Sequence, residues 1–125
     1  MNLLSATSVV GKTAYGYTAS GQGSAFFTVP SGKTVRIDNI NMQQNISIAD
    51  NFYSKFRIYD SSASAVMFDS GWVYTRDQNY DPKWLPRFLV FRGPFYLDEG
   101  DYIDTYSSYS TAGLFYISFG YLEIS

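Results

Sequence analysis

The sequence predicts an all-β protein, an antiparallel β-sandwich of jelly-roll type with about eight strands. Three observations predict it. From Ala25 to Ile124 apolar residues alternate with polar ones in short runs, the period-2 signature of strands with one buried face. Turn signals built on Gly, Pro, Asp and Ser separate those runs, as strands of two packed sheets require. Aromatic residues make up 19% of the 125 residues and charged residues only 16%. Such a balance fills a core and is the opposite of a disordered composition. The length suits one domain that folds without staples.

Each element follows in order. AFFTV (25–29) is the first regular strand, and PSGK (30–33) is a turn in which Pro30 fixes φ and Gly32 accepts φ > 0. TVRIDNI (34–40) alternates, with Val35 and Ile37 on one face and Arg36 and Asp38 on the other. FYSKFRIYD (52–60) places Phe52, Ser54, Phe56 and Ile58 on one face and Tyr53, Lys55, Arg57 and Tyr59 on the other. Ile48, Ala49, Phe52, Tyr53 and Phe56 also fit a one-sided helix, so a helical turn near 46–52 stays open. DSSASA (60–65) turns the chain into VMF (66–68). WLPRFLVF (84–91) is a strand whose Pro86 implies an edge or a bulge. Strands ending at Leu97 and spanning YIDTY (102–106) flank DEGD (98–101), and LFYISFGYLEI (114–124) closes the fold, bent at Gly120.

Two domain segments result: residues 1–24, an N-terminal arm or first strand, and the sandwich, 25–125. The first segment is Ser/Gly/Thr-rich, and its short apolar pairs, Leu3–Leu4 and Val9–Val10, bury too little alone to order it. It is expected to reach outside the domain or add a strand to a neighbour. An internal echo joins VPSGKTV (29–35) to LDEGDYI (97–103), both with the plan of a tight turn between strands.

Composition excludes several functions. The chain has no histidine and no cysteine. The common nucleophile–base arrangements and zinc sites are therefore out of reach, and neither an enzyme nor a cofactor is expected. A formal charge of −2 gives no basic field for nucleic acid. No apolar run is long enough for a transmembrane helix. The start lacks the pattern of a signal peptide, so use without classical secretion is expected. Asp98, Glu99, Asp101 and Asp104 cluster as a calcium site would. Alternation puts Asp98 and Asp104 on the side of Tyr102 and opposite Asp101, which splits the ligands and favours a solvated turn.

What remains points to binding. Twelve tyrosines exceed what such a core needs, and Tyr supplies amphipathic contact area at low entropy cost. The segment GWVYTRDQNYDPKWLPR (71–87) holds both tryptophans between two strands. Trp72, Tyr74, Arg76, Tyr80, Trp84 and Arg87 in it are of the residue types that anchor interfaces. A loop folded back over the sheet explains the two tryptophans equally well. Charge is also segregated: residues 98–125 hold five acids and no base, while 1–97 carry all nine basic residues and sum to +3. Arg87 and Arg92 of one protomer are thus expected to face Asp98 and Asp101 of a neighbour, or an acidic capsid surface.

FTVPSGKTVRIDNI, PFYLDEGDYIDTYSS and the closing FGYLEIS resemble a module of bacteriophage structural proteins. Its marks are a P-x-G turn, V-x-I-x-x-I, P-[apolar]-x-L-x-x-G-D and a final G-Y-x-E. The resemblance, to small jelly-roll decoration (cement), head-fibre and spike proteins of tailed phages, covers about residues 25–125. Cupins share the turn, but their metal site needs histidines. The resemblance implies a virion structural role on the capsid surface. Its implied partners are the major capsid protein or other virion proteins, and copies of itself as a homotrimer. Synthesis would be in the host cytoplasm. The alternative is a carbohydrate- or receptor-binding fibre or spike module that meets a host surface glycan through aromatics of 72–84.

Overall fold

The computed structural model describes residues 8–18, 24–46, 53–74, 87–107 and 113–125, and among them all regular structure is β. The strands are β1 (Val9–Thr18), β2 (Ser24–Thr28), β3 (Thr34–Ile46), β4 (Tyr53–Asp60), β5 (Ala65–Asp69), the two-residue β6 (Val73–Tyr74), β7 (Arg87–Leu97), β8 (Tyr102–Ser107) and β9 (Gly113–Ile124). One sheet has the order β1-β9-β3-β7, and the other β2-β8-β4-β5 with β6 also on β4.

The order is that of a rolled hairpin. β1 pairs β9, β2 pairs β8, β3 pairs β7 and β4 pairs β5, all antiparallel. Rolling that ladder brings β3 beside β9 and β4 beside β8. The product is the eight-stranded jelly roll with two Greek keys. Alternation decides which side goes inward. Ser54, Phe56 and Ile58 of β4 are buried, as are Val35 and Ile37 of β3 and Ile117 and Phe119 of β9. Aromatic pairs then close the two sheets on each other. Phe27 meets Phe119 edge-on at 5.2 Å, Phe56 meets Phe91 at 5.1 Å and Phe68 meets Phe95 at 5.0 Å, within the preferred range for such contacts.

A bulge lies between Ile37 and Ile40. Inward apolar residues stand at 35 and 37, then at 40 and 42, with Asp38 and Asn39 both exposed. Register slips at this point against both β7 and β9. On the β7 side the irregularity falls at Gly93. A Cβ there would lie 2.7 Å from the Ile37 carbonyl and 2.5 Å from the Phe95 amide nitrogen, so only glycine fits. Residues 87–97 are thus one strand carried through a bulge, where the sequence suggested two. The strand lies at a sheet edge, where Pro94 removes no needed ladder bond.

The two echoing turns are neighbours. In each, the fourth residue's amide bonds the first residue's carbonyl: Lys33 to Pro30 at 3.2 Å and Asp101 to Asp98 at 3.0 Å. Gly32 (φ 75°) and Gly100 (φ 85°) take the left-handed position, as the third residue of a type II turn must. Val29 N–H donates to the Asp101 carbonyl (2.9 Å), Gly100 N–H to the Val29 carbonyl (3.1 Å) and Ser31 Oγ to Glu99 (3.0 Å).

The N-terminal expectation needs correcting over 9–18. These residues pair along ten positions with β9 of their own chain and do not leave the domain. β9 offers a ladder on both sides, and taking up that ladder orders a segment whose side chains alone bury little. Residues 1–7 and 19–23 lie outside the described residues, as do 47–52 of the helical turn expected near 46–52, whose Ile46 ends β3.

Candidate interaction surface

β4 and β5 form the edge from which the aromatic segment departs. After Asp69 the chain does not end its ladder with β4 but bulges. Ser70 N–H donates to the Phe56 carbonyl (3.0 Å), and the Ser70 hydroxyl accepts from the Phe56 amide (3.0 Å) in place of a carbonyl. Asp69 Oδ1 accepts from Gly71 N–H (2.8 Å), and Gly71 takes φ 74°. β6 then resumes pairing, Tyr74 opposite Tyr53. β5 and β6 are in effect one edge strand interrupted at 70–72, and the interruption turns Trp72 outward, 46% exposed.

Trp72 joins a ladder of side chains on the outer face of β4 and β8. Lys55 opposes Tyr106, Arg57 opposes Asp104 and Tyr59 opposes Tyr102, and such directly opposite pairs are the units of sheet stabilisation. The Lys55 ammonium lies 4.8 Å from the Trp72 ring centre and 5.5 Å from that of Tyr106, and reaches Asp69 at 3.3 Å. Arg57 bonds Asp104 at 2.9 and 3.3 Å, donates to the Tyr106 hydroxyl, and lies 4.6 Å over the Tyr106 ring. Tyr59 and Tyr102 stack at 4.8 Å.

The electrostatics follow from this packing. Asp104 is 5% exposed although it belongs to the outer face. Its hydrogen bond holds the Arg57 guanidinium even more firmly protonated than usual. Burial, then the charge of Asp104, pushes the Tyr106 hydroxyl up from its ordinary value; burial, then Tyr59, does the same for Tyr102. A hydroxyl whose folded value is raised contributes stability in full below its unfolded value near about 10, and loses it as pH rises through the folded one. Urea midpoints should therefore fall as pH climbs past about 10, and less steeply in Tyr106→Phe. Equal slopes for the two proteins would refute this assignment.

The candidate residues divide as follows. Trp72 stands in the ladder. Tyr74 lies on β6 and Arg87 opens β7, their side chains outside the described residues. Arg76, Tyr80 and Trp84 lie wholly outside them. Arg92 is exposed on β7, opposite Asn39. Asp98 is exposed at the turn. Asp101 is 3% exposed. Its carboxylate accepts from Ser61 N–H (3.0 Å), Ser61 Oγ (3.3 Å) and Asp98 N–H (2.8 Å), so it faces its own fold and not a neighbour. The acidic cluster accordingly splits between two exposed acids, Asp98 and Glu99, and two buried ones with donors of their own. Among the described residues no group of three acids is arranged to hold a metal ion. Sequence reasoning read the tyrosines as a class but did not join Tyr59, Tyr102 and Tyr106 to Lys55, Arg57 and Asp104. Their alternation was visible, whereas the β4–β8 register that joins them was not.

No protein-family model matches the sequence, and no curated protein is similar to it by sequence. Solved structures are similar in fold. A chain of the disulfide-linked pili that form Bacillus endospore appendages is 8% identical, with a TM-score of 0.47, over 94% of this chain and 88% of its own. A chain of the cyanophage Pam1 capsid asymmetric unit is 12% identical, with a TM-score of 0.47, over 94% and 86%. A chain of infectious bursal disease virus, Gx strain, is 8% identical, with a TM-score of 0.39, over 95% of this chain and 32% of its own.

Proposed function

We propose that this chain is a non-enzymatic virion structural protein. It decorates or cements a capsid by packing against the shell and against copies of itself, as a homotrimer. One observation carries the reading. Every large apolar side chain that stands exposed among the described residues lies on an edge strand or beside one. Val9, Val10 and Tyr15 are on β1, Val66 and Met67 on β5, and Val90 and Tyr96 on β7; Trp72 follows β5 directly. An apolar sheet edge left bare invites association. A subunit made to be covered by neighbours has that distribution by design.

Charge sets the register of the contact. Arg92 on β7 faces the exposed acids of the next protomer's 98–99 turn, with Asp98 as its partner and Asp101 excluded by its burial. Made head to tail, the contact is heterologous, and in the homotrimer it closes into a ring. Sedimentation of the full chain in low salt should give a trimer. Arg92→Glu should weaken it, and Asp98→Arg added to that variant should restore part of the association. A monomer under those conditions, or no coupling between the two reversals, would sink the proposal.

A further inference from the structure

The outer face of the β1-β9-β3-β7 sheet carries a groove of about 290 Å³. Register builds it. Tyr15 on β1 opposes Ser118 on β9, Ser118 opposes Asn41 on β3, and Asn41 opposes Val90 on β7. One row thus crosses all four strands. In the next row Gln43 opposes Tyr116. The rings of Tyr15 and Tyr116 stack, 6.0 Å apart and 29° from parallel. Tyr15 is 66% exposed, and Val90 is exposed on the opposite wall.

The chemistry of the lining selects the ligand. Every lining side chain is neutral, while the ion pairs among the described residues, Lys12–Glu123, Arg36–Asp38, Lys55–Asp69 and Arg57–Asp104, involve none of them. The described lining itself offers an ionic ligand no counter-charge, and the exposed Arg92 stands two residues along β7 from Val90. An amide and a hydroxyl, from Asn41 and Ser118, supply both donors and acceptors between the rings and Val90. The faces of tyrosine rings are electron-rich and attract polarised C–H bonds. A molecule with an apolar C–H face and a rim of hydroxyls, without charge, matches both features. The volume lies at the low end of ligand sites, roughly 300 Å³, enough for a sugar unit or two.

We infer that this groove binds a neutral oligosaccharide through the Tyr15–Tyr116 platform and Asn41. The groove is lined by Tyr15 and Val90 on β1 and β7, edge strands that the assembly proposal also uses, so native mass and glycan retention are read separately. The experiment is a glycan array bearing neutral, sialylated and sulfated oligosaccharides, probed with the full chain. Calorimetry with a retained neutral glycan follows. Neutral glycans should be retained and their acidic counterparts not. Tyr15→Ala should weaken affinity at least about tenfold, Asn41→Ala should also weaken it, and Tyr96→Ala on the same sheet should not. Arg92→Glu should leave glycan affinity unchanged whatever it does to native mass. The proposal fails if no neutral glycan is retained, if only acidic ones are, or if retention ignores both Tyr15→Ala and Asn41→Ala. It also fails if Tyr15→Ala changes the native mass but not glycan retention, for then a second copy occupies the groove.

Discussion

Phe56→Ala is expected to cost about 3–5 kcal/mol, the range for deleting a buried aromatic side chain. The ring is fully buried, and it sits where three strands converge. It lies 5.1 Å from Phe91 of the facing sheet, edge-on, and 5.7 Å from Phe68 on β5. Phe68 in turn touches Phe91 at 6.2 Å and Phe95 at 5.0 Å. Removing Phe56 therefore opens a cavity bounded by aromatic rings, which are too stiff to collapse into it. The loss reaches the surface as well. The Phe56 backbone holds Ser70 on both sides, and that bulge sets the position of Trp72. Chemical denaturation should show the full loss for alanine and about 1 kcal/mol for Phe56→Leu, which keeps most of the volume. A loss below about 1.5 kcal/mol for alanine would mean that the site repacks and the aromatic cluster is not rigid.

The same segment shows what a sequence discloses. The alternation of β4 is visible because each inward residue is apolar or small and each outward one is polar or amphipathic. The turns at 30–33 and 98–101 are visible because Gly32 and Gly100 must take a left-handed backbone. That the turns touch each other was not visible, since their contact joins residues 68 apart in sequence. The alternation of β3 carried a further signal, the phase change from Ile37 to Ile40, which marks the bulge.

β1 stayed open between an arm and a first strand for a physical reason. It is an edge strand whose core contact is made by a small residue, Ala14. Toward its start Lys12 answers Glu123 at 3.1 Å, where an interior strand would carry an apolar pair. A strand built from Gly, Lys, Thr and Ala has the composition of a linker. The partner β9, not its own side chains, makes it a strand. The candidate interface residues divide in the same way. Residue types pointed to Trp72 and Arg92, which are exposed. Charge alone could not separate Asp98 from Asp101, because burial depends on where Ser61 is brought.

Asp101→Ala is expected to cost about 2–4 kcal/mol, the lower part of the range for two part-buried amides that each lose an acceptor worth about 1–3 kcal/mol. Asp101 joins three turns. Its carboxylate holds the Ser61 and Asp98 amides, its N–H closes the 98–101 turn, and its carbonyl accepts from Val29. The volume lost is small, so the effect belongs to the hydrogen bonds and not to packing. Asp101→Asn separates the two. Its amide keeps the size and one acceptor oxygen, but its NH₂ must face either the Ser61 or the Asp98 N–H. It should therefore fall between wild type and alanine, at about 1–2 kcal/mol. An asparagine variant as stable as wild type would refute the account. Asp98→Ala serves as the control: its side chain is exposed, and its stability should stay within about 0.5 kcal/mol of wild type. The pair also tests assembly. Under the proposed contact, Asp98→Ala should weaken the trimer at unchanged stability, whereas Asp101→Ala should weaken both, since it releases the turn that presents Asp98. Loss of the trimer in Asp101→Ala with an intact trimer in Asp98→Ala would move the contact from the Asp98 carboxylate to the shape of the turn itself.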